Sequence, residues 1–585
     1  MIGDGSLSGG EALEGLDYAV ELGGNLIIIV NDNDMSIAEN HGGIYKNLKL
    51  LRKTDGQAQC NLFKAMNFDY IYVDKGNDVT SLIEAFKQVK DSKKPVVVHI
   101  KTLKGKGYEI AEHNKEKWHF CAPFDIETGK PLYTFDGEDY SSVTNVYLLD
   151  KMKKDSKVVA ITTGTPTIMG FTEDKRKEAG SQFVDVGIAE ETAVAMASGI
   201  AKNGGKPVFG VYSTFIQRAF DQISQDLCID KNPATIVTFA GSVYGMNDVT
   251  HIGLQDIPMM SNIPNLVYLA PTTKEEYLAM LDWSIEQKDY PVAIKVPGGQ
   301  VVSDGKIVSK DFSRLNTYEI TERGSDVAII GLGAFYHLGR EVATLLKETT
   351  GIAATVINPY YITGLDEKTL NDLKKNHFAV ITLEDGFLDG GFGQKISGFY
   401  GNTDMKVLNY GIKTEFLDRY NLEKVLRDNH LTPKQIVEDI KENLLKKLKK
   451  YTKSNQTLKK IEIICVEDNS EDASAEILRG YAQRDERIRI VFHETNLGIS
   501  QSRKDGVAYS SGKYIMFVNQ DGQLCQDACQ SALDAIEEYK TDIVQFDTDV
   551  INCAGEATET ILTRKKMLRP CLDKIQTENL ISSLW

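Results

Sequence analysis

No apolar run in this 585-residue chain reaches the ~18 residues a membrane-spanning helix needs, and no charged-then-apolar segment opens it. A cytoplasmic protein without a transmembrane segment is therefore expected. Cysteine is sparse and scattered: eight residues, at 60, 121, 228, 465, 525, 529, 553 and 571, form no C-x-x-C pair. That spacing suggests neither a zinc site nor a disulfide framework. Cys525 and Cys529 read as two semi-buried thiols on one helix face. Basic residues are outnumbered, 67 against 83 acidic, for a net charge of -16. Such a surface has no use for nucleic acid, whose phosphates need a basic partner. Internal repeats and low-complexity tracts are also missing.

What is present is an ordinary globular composition with 42% apolar residues, long enough for about four domains of ~150 residues. Gly3-Asp4-Gly5-Ser6 is followed by a helix-like stretch, the run Leu26-Ile27-Ile28-Ile29-Val30, and then Asn31-Asp32-Asn33-Asp34-Met35. This order reads as a metal–diphosphate site. A hard Mg²⁺ ion takes oxygen ligands and keeps phosphates in its shell. Asp4 offers a carboxylate, Asn33 an amide carbonyl, and Met35 a backbone carbonyl. Both clusters follow strands and so meet at the carboxyl edge of a parallel sheet. Glycines at 3 and 5 permit close approach of a phosphate, and the next helix offers it N–H groups.

These segments resemble the thiamine-diphosphate motif of the transketolase superfamily. The continuation Met35-Ser36-Ile37-Ala38-Glu39-Asn40-His41-Gly42-Gly43 narrows the resemblance to the 1-deoxy-D-xylulose-5-phosphate synthase family. So do Val186-Gly187-Ile188-Ala189-Glu190-Glu191 and Tyr212-Ser213-Thr214-Phe215-Ile216-Gln217-Arg218. The resemblance covers residues 1–445 and implies an α/β fold of three transketolase-like domains with mainly parallel sheets. Expected boundaries are 1–135 for the thiamine-diphosphate and Mg²⁺ domain, 140–305 for the pyrimidine-binding domain and 315–445 for the C-terminal domain. Lys446 to Lys460 reads as a basic solvated helix and linker rather than a membrane-surface helix. Residues 461–585, with Glu467-Asp468-Asn469-Ser470, Asn496-Leu497-Gly498 and Tyr514-Ile515-Met516-Phe517, resemble a Rossmann-like fragment of a family 2 glycosyltransferase. There, Asn519-Gln520-Asp521 stands where an Asp-x-Asp is usual, so independent glycosyl transfer is not expected. Gly331-Leu332-Gly333 lacks the third glycine of a dinucleotide fingerprint and reads as a strand-to-helix turn.

Carried over residue by residue, the resemblance implies thiamine diphosphate and Mg²⁺ as cofactors. Asp4, Asn33 and Met35 would hold the metal, Gly5 and Ser6 the diphosphate, Ile37 and Phe215 the bent rings. Glu190 would protonate the aminopyrimidine, a task suited to a buried carboxyl with a raised pKa. His119 and His251 would transfer protons, and Tyr212 and Arg218 would bind substrate. The implied reaction decarboxylates pyruvate and joins the remaining two carbons to an aldehyde such as glyceraldehyde 3-phosphate. A transketolase-like enzyme with another sugar acceptor and an inactive truncated fusion are the alternatives. The superfamily implies a homodimer. Only Met1 and Ile2 precede Gly3, and the opening quarter of such a synthase, expected to be absent, would come from a separate chain. Phe239 and Gly298 stand where the family carries arginines that grip the acceptor phosphate, and neither can fork onto a phosphate as a guanidinium does. Asp248 lies near a family carboxylate, displaced by a one-residue insertion.

Overall fold

The computed structural model describes residues 1–132, 137–308, 310–445, 456–470, 474–483, 485–518, 527–541, 548–551 and 557–561, with the single positions 524 and 544. Among its contacts the chain divides into two compact units, 1–437 and 438–585.

Three sheets build the first unit. The first has strand order β1-β2-β4-β3, where β1 is Ile2–Gly3, β2 Ile27–Asp32, β3 Asp69–Val73 and β4 Val96–Lys101. All pairings are parallel. Parallel sheets are covered on both faces, and the β-branched run in β2 suits that burial. The alternation of a strand is visible in β4: Val97 joins Leu7, Leu48 and Phe63 on one side, while Val96, Val98 and Ile100 pack with Val73 and Val89 on the other.

The second sheet is wholly parallel, with order β6-β5-β7-β8-β10-β9. Its strands are β5 Val158–Thr162, β6 Phe183–Asp185, β7 Lys206–Tyr212, β8 Thr235–Phe239, β9 Val267–Leu269 and β10 Val292–Lys295. The third has order β11-β13-β12-β14-β15, with β11 Glu319–Glu322, β12 Asp326–Gly331, β13 Thr355–Asn358, β14 His377–Phe387 and β15 Lys406–Ile412. Here β11 alone runs antiparallel. The second and third sheets share one core, in which Ile161 and Ile236 belong with Ile330 and Val380. Gly331-Leu332-Gly333 is the strand-to-helix turn that the missing glycine implied: β12 ends at Gly331 and a helix runs Phe335–Thr350.

In the second unit β16 (Ile463–Glu467) pairs in parallel with β17 (Ile488–Phe492), and β18 (Thr548–Ile551) pairs antiparallel with β19 (Ala557–Ile561). Most of the basic linker, Asn519-Gln520-Asp521 and Cys525 lie outside the described residues. Cys60, Cys121, Cys228 and Cys529 are free thiols. No helix among the described residues is long and apolar enough to cross a membrane.

One buried acid in the third sheet gives the fold a measurable pH dependence. Glu384 on β14 is fully buried, and its carboxyl accepts from the N–H groups of Phe392 at 2.7 Å and Gly393 at 2.8 Å, at the start of the helix Phe392–Tyr400. Burial pushes it from 4.5 up to about 7. The folded protein thus binds more protons than the unfolded chain between those values, and stability falls as pH rises through the window. Glu384→Gln is expected to flatten that slope in urea titrations between pH 4.5 and 7. An unchanged slope would count against this assignment.

Candidate active site

Parallel register brings the two acidic loops together. Gly3 pairs with Asn31, so Asp4 and Asn33 leave the sheet side by side at its carboxyl edge, where α/β sheets bind ligands. Asp4 opens a short turn, Asp4–Ser8, that leads into the helix Gly10–Leu22. It is 1% exposed, and Asn40 Nδ2 donates to its Oδ2 at 2.8 Å. Burial, then the charge of Asp32, push its carboxyl up to about 6, against the pull of the Asn33 N–H and Asn40. Asn33 Oδ1 is buried without a hydrogen-bond partner. An unpaired buried carbonyl is costly, and a cation bound beside Asp4 would satisfy it. Met35 bridges to Glu39 in the same loop, which also holds half-buried Ile37. A Cβ on Gly5 would stand 3.0 Å from that of Ser36, so the two loops pack closely and a side chain at position 5 would push Ser36 back. Ser6 is exposed. Among the described residues no group of three or more His, Cys, Asp or Glu side chains could hold a metal. A site built from one carboxylate, one amide and one backbone carbonyl therefore fits an ion that draws its remaining ligands from a bound diphosphate.

A buried charge network stands behind this loop. Arg52 Nη1 donates to both oxygens of Asp32 at 2.6 Å, and Arg52 Nη2 reaches Asp34 at 2.5 Å. His99 Nε2 lies 2.8 Å from Asp32, and Tyr70 Oη 2.8 Å from His99 Nδ1. Burial alone would raise the Asp32 carboxyl, but the bonds from His99 and Arg52 hold it below the ordinary range.

The second sheet supplies the other half. Glu190 begins the helix Glu190–Lys202, is 2% exposed, and has its carboxyl raised by burial. Its Oε2 has no hydrogen-bond partner and faces Arg218 Nη1 at 3.4 Å. Arg218 also approaches Glu191 at 3.3 Å, and its Nη2 lies 3.0 Å from where a Cβ on Gly9 would be. Ser8 Oγ donates to the Ile188 carbonyl at 3.3 Å. Glu190 is thereby held next to the turn that carries Asp4. Asp185 accepts from the N–H groups of Gly164 at 2.8 Å and Gly187 at 2.9 Å, which shapes both loops between the halves.

Tyr212, Phe215 and His251 form one ring cluster, with centroids 5.1 Å apart for Tyr212–Phe215, 5.3 Å for Phe215–His251 and 6.0 Å for Tyr212–His251. His119 is joined to the Met35–Glu39 loop through Lys104, whose Nζ donates to the Ser36 carbonyl at 2.5 Å and lies 3.0 Å from His119 Nδ1. Burial, then the Lys104 charge, lower the His119 pKa, to which His251 also contributes. Asp248 accepts from the Thr250 N–H at 2.9 Å and lies 3.4 Å from His251 Nδ1, so it caps that loop. Sequence reasoning missed Lys104, Asn40 and Asp185. Asn40 stood inside a quoted motif, but nothing in its spacing showed which partner it meets.

In the second unit, Asp468 accepts from the N–H groups of Leu497 and Gly498, both at 2.8 Å, and lies 2.6 Å from His493 Nδ1. His493 Nε2 is 3.0 Å from Asp505. The oxygens of Asp468 are thus spent on its own loop.

By the family comparisons, these parallel α/β sheets, with the Asp4 and Asn33 loops at one edge and a buried carboxyl at the neighbouring helix start, belong to a transferase of the transketolase class. Family models agree: the pyrimidine-binding domain of transketolase matches residues 139–301, its C-terminal domain 316–436, and the 1-deoxy-D-xylulose-5-phosphate synthase model 1–61 and 52–102. The family 2 glycosyltransferase model matches residues 440–580. The chain is 35% identical to the 1-deoxy-D-xylulose-5-phosphate synthase of Clostridium acetobutylicum over 461 residues, 72% of this chain and 74% of that protein. It is 34% identical to that of Alkaliphilus oremlandii over 482 residues, 75% of this chain and 76% of that protein. Among solved structures, a transketolase from Pichia stipitis in complex with sedoheptulose 7-phosphate covers 75% of each chain at 16% identity, with a TM-score of 0.44. The chain belongs to the 1-deoxy-D-xylulose-5-phosphate synthase family, whose members are thiamine-diphosphate-dependent transferases.

Proposed function

We propose that this chain transfers a two-carbon unit from pyruvate to an aldehyde in the site shared by the first and second sheets. Asp4, Asn33 and the Met35 carbonyl would hold Mg²⁺, and Gly5 and Ser6 would bind the diphosphate. Ile37 and Phe215 would hold the rings of the cofactor. When bound, thiamine diphosphate supplies a carbanion and stores the electron pair left by decarboxylation. Glu190 keeps a proton at the aminopyrimidine nitrogen, a role suited to a buried carboxyl whose pKa is raised. Arg218 orients Glu190 and borders the substrate with Tyr212. His119 and His251 move protons to and from the substrate oxygens.

The observation that carries this reading is the buried Asn33 Oδ1 without a hydrogen-bond partner, near Asp4 on a turn that Ser8 ties to the segment leading into Glu190. A metal ion held with the cofactor would provide that missing partner. Homodimerisation, a cytoplasmic setting and the domain boundaries at 135–140, 305–315 and 445–461 belong to the same proposal. Incubation with pyruvate and an aldehyde, followed by NMR, is expected to show a methyl-ketone product only when thiamine diphosphate and Mg²⁺ are added. No product at saturating cofactor would contradict the reading.

A further inference from the structure

We propose that Arg176 is a positioning residue of this site, because its buried guanidinium joins the Met35–Glu39 loop to the segment 114–119 that carries His119. The inference rests on the function proposed above, in which His119 moves protons. It adds a residue that acts only through the segments it holds.

Local structure brings the guanidinium to this place. Arg176 sits in the short helix Glu173–Ala179, which follows Phe171, a residue fully buried in the core of the second sheet with Val158 and Val208. Its Nη1 donates to the Phe171 carbonyl at 2.9 Å, which fixes the side chain to that core. The side chain is 8% exposed, and a charge so buried needs partners. Two carboxylates supply them. Glu116 takes the fork with both oxygens, Oε1 from Nη1 at 3.1 Å and Oε2 from Nη2 at 3.0 Å, while Glu39 Oε2 accepts from Nη2 at 2.8 Å. Bidentate pairing of this kind fixes direction as well as distance.

Each carboxylate lies on a segment that borders the site. Glu39 bridges to Met35, so Arg176 holds the residue that closes that loop. Glu116 precedes His119 by one turn, in which the His119 N–H donates to the Glu116 carbonyl at 3.2 Å and the Trp118 N–H to the Asn114 carbonyl at 3.1 Å. The Trp118 ring packs 4.5 Å from Phe124 and 5.1 Å from Tyr108. Lys104 links the same two segments through Ser36 and His119. Burial and Lys104 are joined by His251 in lowering the His119 pKa, and Asp4 opposes the lowering that burial imposes on Lys104. The segment therefore stands within electrostatic reach of Asp4 on one side and His251 on the other.

Without the guanidinium, Glu39 and Glu116 would face each other as like charges, which repel. A lysine at 176 keeps the charge but cannot reproduce the paired bonds to Glu116. Glu116→Gln is the sharper change. It sets an amide N–H₂ against a guanidinium N–H, which breaks the fork, yet leaves the Glu39 bond and the Met35 loop in place. Turnover and cofactor affinity should then separate.

The test compares the wild-type chain, Glu116→Gln and Arg176→Lys. Hydrogen exchange read by mass spectrometry, without cofactor or substrate, is expected to quicken about tenfold or more in peptides covering 114–119 in both variants, with β4 unchanged. With thiamine diphosphate, Mg²⁺, pyruvate and an aldehyde, kcat of Glu116→Gln is expected to fall about tenfold or more, as displacement of a reacting group does, while the calorimetric Kd for thiamine diphosphate stays within about threefold. Unchanged exchange at 114–119, or faster exchange with kcat within about twofold of the wild type, overturns the inference and leaves the proposed function standing. Exchange that quickens across β4 as well marks a general loss of stability and also overturns it. A wild-type chain that binds no thiamine diphosphate or forms no product overturns the proposed function and this inference with it.

Discussion

Glu190→Gln is expected to lower kcat by about 10²–10⁴-fold, the range a positioned acid–base group contributes, while thiamine diphosphate affinity stays within a few-fold. The side chain is nearly isosteric, so packing around the helix Glu190–Lys202 is retained. What is lost is the acidic proton. Burial raises the Glu190 carboxyl above its ordinary value, and glutamine has no acidic proton to exchange in its place. Arg218, 3.4 Å away, would oppose that protonation if it were fully engaged, yet its distance is long for a charge-assisted bond. The measurement is steady-state kinetics with calorimetry on the same preparations. A variant that keeps kcat within threefold would remove Glu190 from the chemistry.

The second large effect falls on stability. Asp32→Ala is expected to destabilise the protein by about 3–5 kcal/mol, because removing one partner of a buried charge network strands the others. Arg52 would keep only Asp34, and His99, fully buried, would lose the carboxylate 2.8 Å from its Nε2. Against a total of about 5–15 kcal/mol for a typical domain, urea titration should register the change as a large fall in midpoint. The sign with pH is also set. Asp32's folded pKa lies below its unfolded value of 3.8, so its contribution is full above that value and is lost as pH falls through the folded one. A loss under 1 kcal/mol would show that the network is not needed to hold the Asn33 loop.

Much of this architecture could be read from the chain because parallel sheets write themselves as apolar runs. Leu26–Val30 anticipated β2, which is found at Ile27–Asp32. The strand extends to Asn31 and Asp32 because their backbones pair with Ile100 and Lys101, a pairing that polar side chains conceal. The meeting of Asp4 and Asn33 followed from topology: two strands that run the same way must end at the same edge. The tie between Glu190 and Arg218 had no such signature. It depends on how the short turn Ile216–Ala219 packs against the helix Glu190–Lys202, and no periodicity encodes that contact. Asp185 was equally hidden, since its partners are the backbone N–H groups of Gly164 and Gly187, and backbone partners leave no mark on composition. Gly298 was noticed as a replacement, but only the structure shows Ser242 occupying the space a side chain would need.

The claim on which the account turns is that Asp4 and Asn33 jointly hold a metal ion and, through it, thiamine diphosphate. Isothermal titration of the wild-type chain and Asp4→Ala with thiamine diphosphate, each with Mg²⁺ and with EDTA, addresses it directly. The account predicts Mg²⁺-dependent heats for the wild type and none for Asp4→Ala, with the two proteins giving matching circular dichroism spectra. Equal heats from both proteins, or heats that persist in EDTA, would contradict it.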